Sequence, residues 1–567
     1  MVSLIVLIAI PFIGWNLHRA YSLYRNYLTA RKLGIPIIVI PLGWQDDLWV
    51  LTWDCFKWIA YLPSFLSWWF DYSRLSWEQQ LRYLPHEKYG DVFIIVAPRG
   101  NEIIVNDPQA GYEVQARYKQ WLKPEPLYEI FNTFGHGVIS VNGDDWQRQR
   151  RIINPAFRES VHKLVWDESL KQARQMLEVR MNQHASRGTL DEVRKDSVLI
   201  ALHVLSSAGF GHTHDFSGGL RQVPEGHSKS FSEALMYLLQ NILNVYMFTA
   251  LKPLGWVRPL KNQEIKATVA EFREYMKETV AYSRATTQGG GGGLANDIVG
   301  ALVDADEAAK REEKIAPNSG FGGKPMHLTD DELFGNLYVF NLAGFETTAN
   351  ALTYTMPFLA RQPEIQEWVA EEIDAVTKTG LEQDWNYESA FPALVRCLAV
   401  MYETLRLWGP TPDATRWPGD ESQVLRVGDK DLVIPPETYV STNMYGIHSD
   451  PRWWGSDSLE WNPKRWVTID PKTGQETIAQ PPTGVPFLAW SVGPRICPGK
   501  KFSQVEFVAV IATVLKSYRV KPMIIEGKMQ TEKQARDALL EVVNDSFNII
   551  TPKMSRPGDA GVMFIAR

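Results

Sequence analysis

Cys497 lies in the run Trp490-Ser491-Val492-Gly493-Pro494-Arg495-Ile496-Cys497-Pro498-Gly499, and its surroundings suit a thiolate that binds iron. An apolar run fit for a helix follows over residues 502–515. A helix N-terminus offers unpaired backbone N–H groups and the positive end of a dipole, and both stabilise a sulfur anion. Gly493 and Gly499 allow a tight turn and a close approach of backbone to a flat cofactor. Arg495 presents a planar fork of donors suited to a carboxylate. A cysteine in a chain that is 45% hydrophobic also suits a buried apolar role. The Gly-x-Arg-x-Cys-x-Gly context is what favours the ligand.

A second group of reactive side chains is Ala343-Gly344-Phe345-Glu346-Thr347-Thr348. Thr329 and Glu332 form a capping box that opens the helix carrying it. Gly344 inside that helix costs about 1 kcal/mol relative to alanine. Such a cost is borne where something approaches the backbone closely or the helix bends. Thr347 can turn its hydroxyl to the carbonyl of Ala343, loosening the ladder and leaving room for water. With Glu346 as an acid beside it, hydroxyl, acid and water make a proton path, which the reduction of dioxygen needs. A helix-packing notch with a back-bonded threonine fits the same residues.

Residues 490–499 resemble the haem-binding signature of the cytochrome P-450 family, Phe-x-x-Gly-x-Arg-x-Cys-x-Gly, with Trp490 where the family usually has Phe. Residues 343–348 match the family's oxygen-activation motif. Glu403-Thr404-Leu405-Arg406, in a helix expected over residues 392–408, resembles its Glu-x-x-Arg. Trp461-Asn462-Pro463-Lys464-Arg465-Trp466 resembles the Pro-x-Arg partner. Trp146 and Arg150, one helical turn apart, resemble its Trp-x-x-x-Arg. Residues 134–135, 154–157 and 499–504 have the flavour of membrane-bound members from filamentous fungi.

The resemblance implies haem b (iron protoporphyrin IX) with Cys497 as the axial ligand of its iron. It implies propionate contacts from Arg495, Trp146, Arg150 and Arg416, with Trp490, Gly493 and Gly499 shaping the ligand loop. Thr347 and Glu346 would deliver protons. Glu403, Arg406 and Arg465 would form a structural triad that holds the ligand loop, and His448 is read as structural. The implied activity is a monooxygenase that inserts one oxygen atom of dioxygen into a lipophilic small molecule of secondary metabolism. No flavin or nicotinamide fingerprint is present, so electrons would come from NADPH through a separate cytochrome P-450 reductase, with cytochrome b5 as a further partner. Lys500, Lys501, Arg148 and Arg151 are the expected docking face. Phe345, the loop over residues 127–138 and the turn over residues 547–550 are the expected pocket walls. A haem-thiolate isomerase or dehydratase acting without dioxygen, a non-catalytic haem-binding protein, and a membrane scaffold with no haem are the alternatives.

These residues need a large scaffold. The chain has 567 residues, 12% aromatic, with 21 Trp, enough for a large buried core. A net charge of −6 carries no nucleic-acid footprint. Cys55, Cys397 and Cys497 cannot build a disulfide framework, which points to a reducing compartment. Val2 to Trp15 is almost unbroken apolar sequence, followed by Arg19, Arg25, Arg31 and Lys32. That order suits a signal-anchor with the rest of the chain cytosolic, although a span needs about 17 residues or more. The expected organisation is a transmembrane anchor over residues 1–18, then a basic, proline-containing hinge with a Trp-rich membrane-interface segment over 19–70. A catalytic domain over 71–567 would face the cytosol from the endoplasmic reticulum membrane. The expected fold is mainly α with small β-sheets, α+β, the cytochrome P-450 fold. A hairpin is predicted around Pro98-Arg99-Gly100, and surface loops at Gly289 to Gly293 and Pro317 to Pro325.

Overall fold

The structure is a computed structural model that describes residues 2–75, 77–182, 186–217, 223–242, 244–246, 262–288, 297–315, 325–378, 385–411, 413–548 and 551–567. The glycine run Gly289 to Gly293 and residues 317–324 lie outside the described residues.

Helix α1, Val2–Arg31, runs unbroken through residue 18. Its far end is tied to the body of the protein. Ala30 is buried, Asn26 donates to the Ala97 carbonyl at 2.8 Å, and Arg19 pairs with Asp46. Among the described residues no helix is long and apolar enough to cross a membrane. The expected transmembrane anchor is therefore not shown: the apolar run gives way within the same helix to Asn16, His18 and Arg19.

Strand β1, Ile37–Val39, lies parallel to β2, Val92–Ala97. The predicted hairpin is present, with β2 antiparallel to β3, Gly100–Val105, through the turn Pro98-Arg99. Two later strands, β4, Asp413–Arg416, and β5, Tyr439–Asn443, complete a mixed sheet in the order β1-β2-β3-β5-β4. The inner strands are apolar on both sides because they feed two cores. Ile94, Val96, Ile103 and Val105 face one, and Phe93, Ile95 and Ile104 face the other, as a period of two requires.

The main core is helical. Helix α2, Gly143–Ile153, precedes α3, Glu159–Asn182, and α4, Leu190–Phe210. Helix α5, Asp330–Arg361, opens at the predicted Thr329–Glu332 capping box. Helices α4 and α5 pack together, and α7, Lys500–Ser517, packs on α3 and α5. Every residue of α7 from Val505 to Leu515 is buried, Glu506 and Thr513 among them, so this stretch of helix lies inside the molecule. The helix expected over 392–408 is two helices. Tyr387–Ala393 holds Pro392, and α6, Val395–Trp408, begins after Leu394. Proline lacks the N–H that would bond back to the preceding turn, and Leu394, at φ −90° and ψ 58°, turns the chain between the helices.

Candidate active site

The turn Gly493–Arg495 and the N-terminus of α7 fix Cys497 from both sides. The Cys497 N–H donates to the Trp490 carbonyl at 2.9 Å and closes the loop. Cys497 lies deep in the protein, yet its surface is exposed because it faces a cavity. Burial raises the thiol pKa, while the Gly499 N–H and the Arg150 charge lower it. Gly493 sits at φ +69°, and a Cβ there would lie 2.8 Å from Ala116 Cα. Only glycine meets both demands. Gly499 differs from the expectation. Its φ of −81° suits any residue, and a Cβ would stand 3.8 Å from the Cys497 sulfur, an ordinary contact. What Gly499 supplies is its N–H. Trp490 packs edge-on to Tyr402 and Phe487, and its indole N–H donates to Ser503 Oγ at 3.1 Å.

The cavity measures about 1010 Å³ and extends from Cys497 to α5. Ala343, Gly344, Thr347 and Thr348 line its α5 wall. Thr347 Oγ donates to the Ala343 carbonyl at 2.9 Å, as expected. A Cβ on Gly344 would lie 3.0 Å from Leu205 Cδ1 of α4, so the glycine also forms a packing notch. Glu346 does not join Thr347. Its carboxylate accepts from Thr551 Oγ at 2.9 Å and is not among the lining residues. Consecutive residues of an α-helix point about 100° apart, which separates the pair. Phe345 is likewise turned away, buried in the helical core and not in the cavity wall. Leu127, Ile130, Phe131 and Val138 do line the cavity. Phe547 does not, lying near Lys57 instead, and residues 549–550 are outside the described set.

Four cations meet at the cavity: the expected Arg150, Arg416 and Arg495, and also Lys123. Arg495 lies over the Trp146 ring, 4.6 Å from its centroid. It donates through one nitrogen to the Val141 carbonyl and to Asn142, each at 3.0 Å. Its other two guanidinium nitrogens, and Arg150 Nε, are buried and find no acceptor among the described residues. Burial and the neighbouring Arg416 charge pull Arg495 down to about 9. Lys123 is pushed well below the ordinary lysine value by burial and by the charges of Arg416, Arg495 and Arg150. Orphaned buried donors on clustered cations call for an anion. A flat cofactor with two carboxylates would fit them, and Cys497, on the same cavity, would hold its metal. Lys123 had no sequence signal, because no regular spacing ties it to the other three.

The residues expected to hold the ligand loop do meet. Arg406 donates twice to Glu403, each at 2.8 Å, with both side chains fully buried. Arg465 reaches Glu403 at 3.0 Å. The Trp466 indole and the Asn462 N–H donate to the same carboxylate at 2.8 Å each. Arg406 then donates to the carbonyls of His448 at 2.7 Å and Ser458 at 2.6 Å. His448 Nε2 in turn accepts the Leu488 N–H at 2.9 Å. His448 thus carries the network into the loop ahead of Cys497.

The expected docking face loses Arg148, while Arg151 and Lys501 stay at the surface, each in an exposed ion pair. Arg148 is 2% exposed, paired with Glu332 and donating to the His327 carbonyl at 2.7 Å. Glu332 is the third helical residue of the α5 capping box, so Arg148 ties α2 to the start of α5. Arg151 is paired with Glu312 at 3.0 Å and Lys501 with Glu159 at 2.6 Å.

A family model described as Cytochrome P-450 matches residues 67–547. A cytochrome P-450 monooxygenase of Arthrobotrys oligospora is 28% identical, over 96% of each chain. The phomenoic acid biosynthesis cluster cytochrome P-450 monooxygenase of Leptosphaeria maculans is 26% identical, over 93% of this chain and 94% of its own. The crystal structure of a cytochrome P-450 shares the fold at a TM-score of 0.62 and 18% identity, covering 86% of this chain and 93% of its own. A cavity-facing cysteine on a glycine turn, a threonine on the helix across from it and a matching family model together make this chain a member of the cytochrome P-450 family, an oxidoreductase of the monooxygenase kind.

Proposed function

We propose that this protein is a haem-thiolate monooxygenase that inserts one oxygen atom of dioxygen into a lipophilic small molecule of secondary metabolism. The observation that carries the reading is the Cys497 sulfur facing a cavity ringed by Lys123, Arg150, Arg416 and Arg495. When bound, haem with a thiolate ligand supplies the activation of dioxygen. The four cations would hold the propionates, and Cys497 would supply the ligand. Thr347 commits its hydrogen to Ala343 and keeps its oxygen lone pairs for a donor in the cavity. By turning, that hydroxyl moves a proton at its Oγ. Glu346, held by Thr551, lies outside that path.

Electrons come from NADPH through a separate reductase, with cytochrome b5 as a further donor. A surface depression of about 380 Å³ reaches Cys497 between Arg150, Lys500 and Lys501, which supports docking there. The relative from a phomenoic acid cluster supports a role in secondary metabolism. Association with the endoplasmic reticulum membrane is supported by the exposed apolar side chains of α1, among them Ile10, Phe12, Ile13 and Trp15. The exposed Trp58, Tyr61, Phe65 and Trp68 supply an aromatic surface of the kind found at lipid boundaries.

Cys497→Ser tests the assignment. The reduced, carbon-monoxide-bound holoprotein should show the thiolate band, and the variant should lose it. A variant that kept the band unchanged would remove Cys497 as the ligand.

A further inference from the structure

Arg150 differs from the other three cations at the cavity. It borders the surface depression as well as the cavity, and Cys497 borders both with it. Lys123, Arg416 and Arg495 border the cavity and not the depression. Arg150 donates through Nη2 to the carbonyl of Ile496, the residue before Cys497, at 2.6 Å. The last turn of α2 carries it. Just ahead of it, Arg148 pairs with Glu332, and Gln149 accepts from Asn336 Nδ2 at 2.9 Å, both partners on α5. The helix is thus tied down immediately before Arg150, which holds the guanidinium at the ligand loop. Burial lowers the Arg150 pKa, and the Cys497 sulfur opposes that fall. At Cys497, in turn, Arg150 supplies the charge that favours the thiolate. By contrast, Arg495 and Lys123 are perturbed by burial and by neighbouring cations, not by the sulfur.

A thiolate ligand pushes electron density onto haem iron. A fixed cation beside the sulfur holds part of that density back, and it favours any step that adds negative charge nearby. We propose that Arg150 tempers the electron donation of Cys497 to haem iron and raises the potential at which the iron accepts an electron. This rests on reading the cavity as a haem-thiolate site, and it gives Arg150 a second duty beside the propionates. The two duties use different nitrogens. Nη2 is spent on Ile496, while the buried Nε, unpaired among the described residues, remains for a carboxylate. The balance that Arg150 sets is between ease of reduction, which its charge helps, and thiolate push, which its charge restrains.

The test uses the holoprotein, first shown to carry the thiolate band with carbon monoxide. Two quantities are then read: the midpoint potential of the iron, and the C–O stretching frequency of the reduced carbon-monoxide complex. That frequency falls when the ligand opposite carbon monoxide donates more strongly, so it reports on the sulfur and not on turnover. Arg150→Gln should lower the potential, the equilibrium constant for reduction dropping about tenfold, which is about 59 mV for one electron. Its C–O frequency should fall as well. Lys123→Gln removes a cation of the same ring away from the ligand loop, and should leave the frequency at the parent value. Arg150→Lys keeps the charge but loses the planar fork. It should fall between Arg150→Gln and the parent, and it carries the comparison if Arg150→Gln takes up no haem. An unchanged potential or frequency in the Arg150 variants, or an equal frequency shift in Lys123→Gln, overturns the assignment. A parent protein without the thiolate band would instead defeat the haem-thiolate reading.

Discussion

Gly493 and Gly499 show how far a residue's type reveals its role. Both flank Cys497, yet only Gly493 combines a positive φ with a close neighbour. Gly493→Ala should cost about 1–3 kcal/mol, and Gly499→Ala should cost clearly less, as measured by thermal unfolding of the two variants side by side. His448 makes a prediction of a different kind. Burial first, then the Arg406 charge, pull it down to about 3, whereas an unfolded histidine titrates near about 6.5. Above that value neither state binds the proton. As pH falls from about 6.5 towards about 3, the unfolded chain takes up a proton that the folded one refuses. Stability therefore declines on the acid side, by up to about 1.4 kcal/mol per pH unit from this group. Denaturant unfolding across that range should show a shallower slope for His448→Gln than for the parent. That His448 is structural was legible from its place outside every motif. That it links Arg406 to Leu488 was not, because its two partners are 42 and 40 residues away in opposite directions.

Elements decide which of these residues act together. Glu403 and Arg406 share a face of α6 by spacing alone, and such pairs are usually worth little. Their burial makes this one consequential: Glu403 accepts from Arg406, Arg465, Trp466 and Asn462 at once. Glu403→Gln should cost about 3–5 kcal/mol, because two arginines lose their counter-charge. Equilibrium unfolding would measure it, and a change under about 1 kcal/mol would contradict the network's importance. Helix α5 gives the opposite lesson. Its start was readable from Thr329 and Glu332, and its contact between Thr347 and Ala343 from local geometry. Glu346 is adjacent in sequence to Thr347 and still points to Thr551, since neighbours on a helix diverge.

At the scale of the whole molecule, α1 joins an apolar N-terminal stretch to a segment packed on the sheet. Asn26 and Ala30 hold its second half in place. Deleting residues 2–18 should shift the protein from the membrane fraction towards the soluble one while leaving the folded body intact. Fractionation, with the carbon monoxide spectrum as the check on folding, would test this. By itself the sequence determined the family, the motif around Cys497, the hairpin around Pro98-Arg99-Gly100 and the capping box of α5. All of these are local, set by residue types a few positions apart. Only the tertiary structure decided that Lys123 joins Arg150, Arg416 and Arg495 at one cavity, and that Phe345 leaves it. It also decided that Arg148 is spent on Glu332, 184 positions away, and not offered to a partner. Spacing fixes which face of its own helix a side chain occupies. What that face meets depends on how separate helices pack, and close packing of many side chains settles that together.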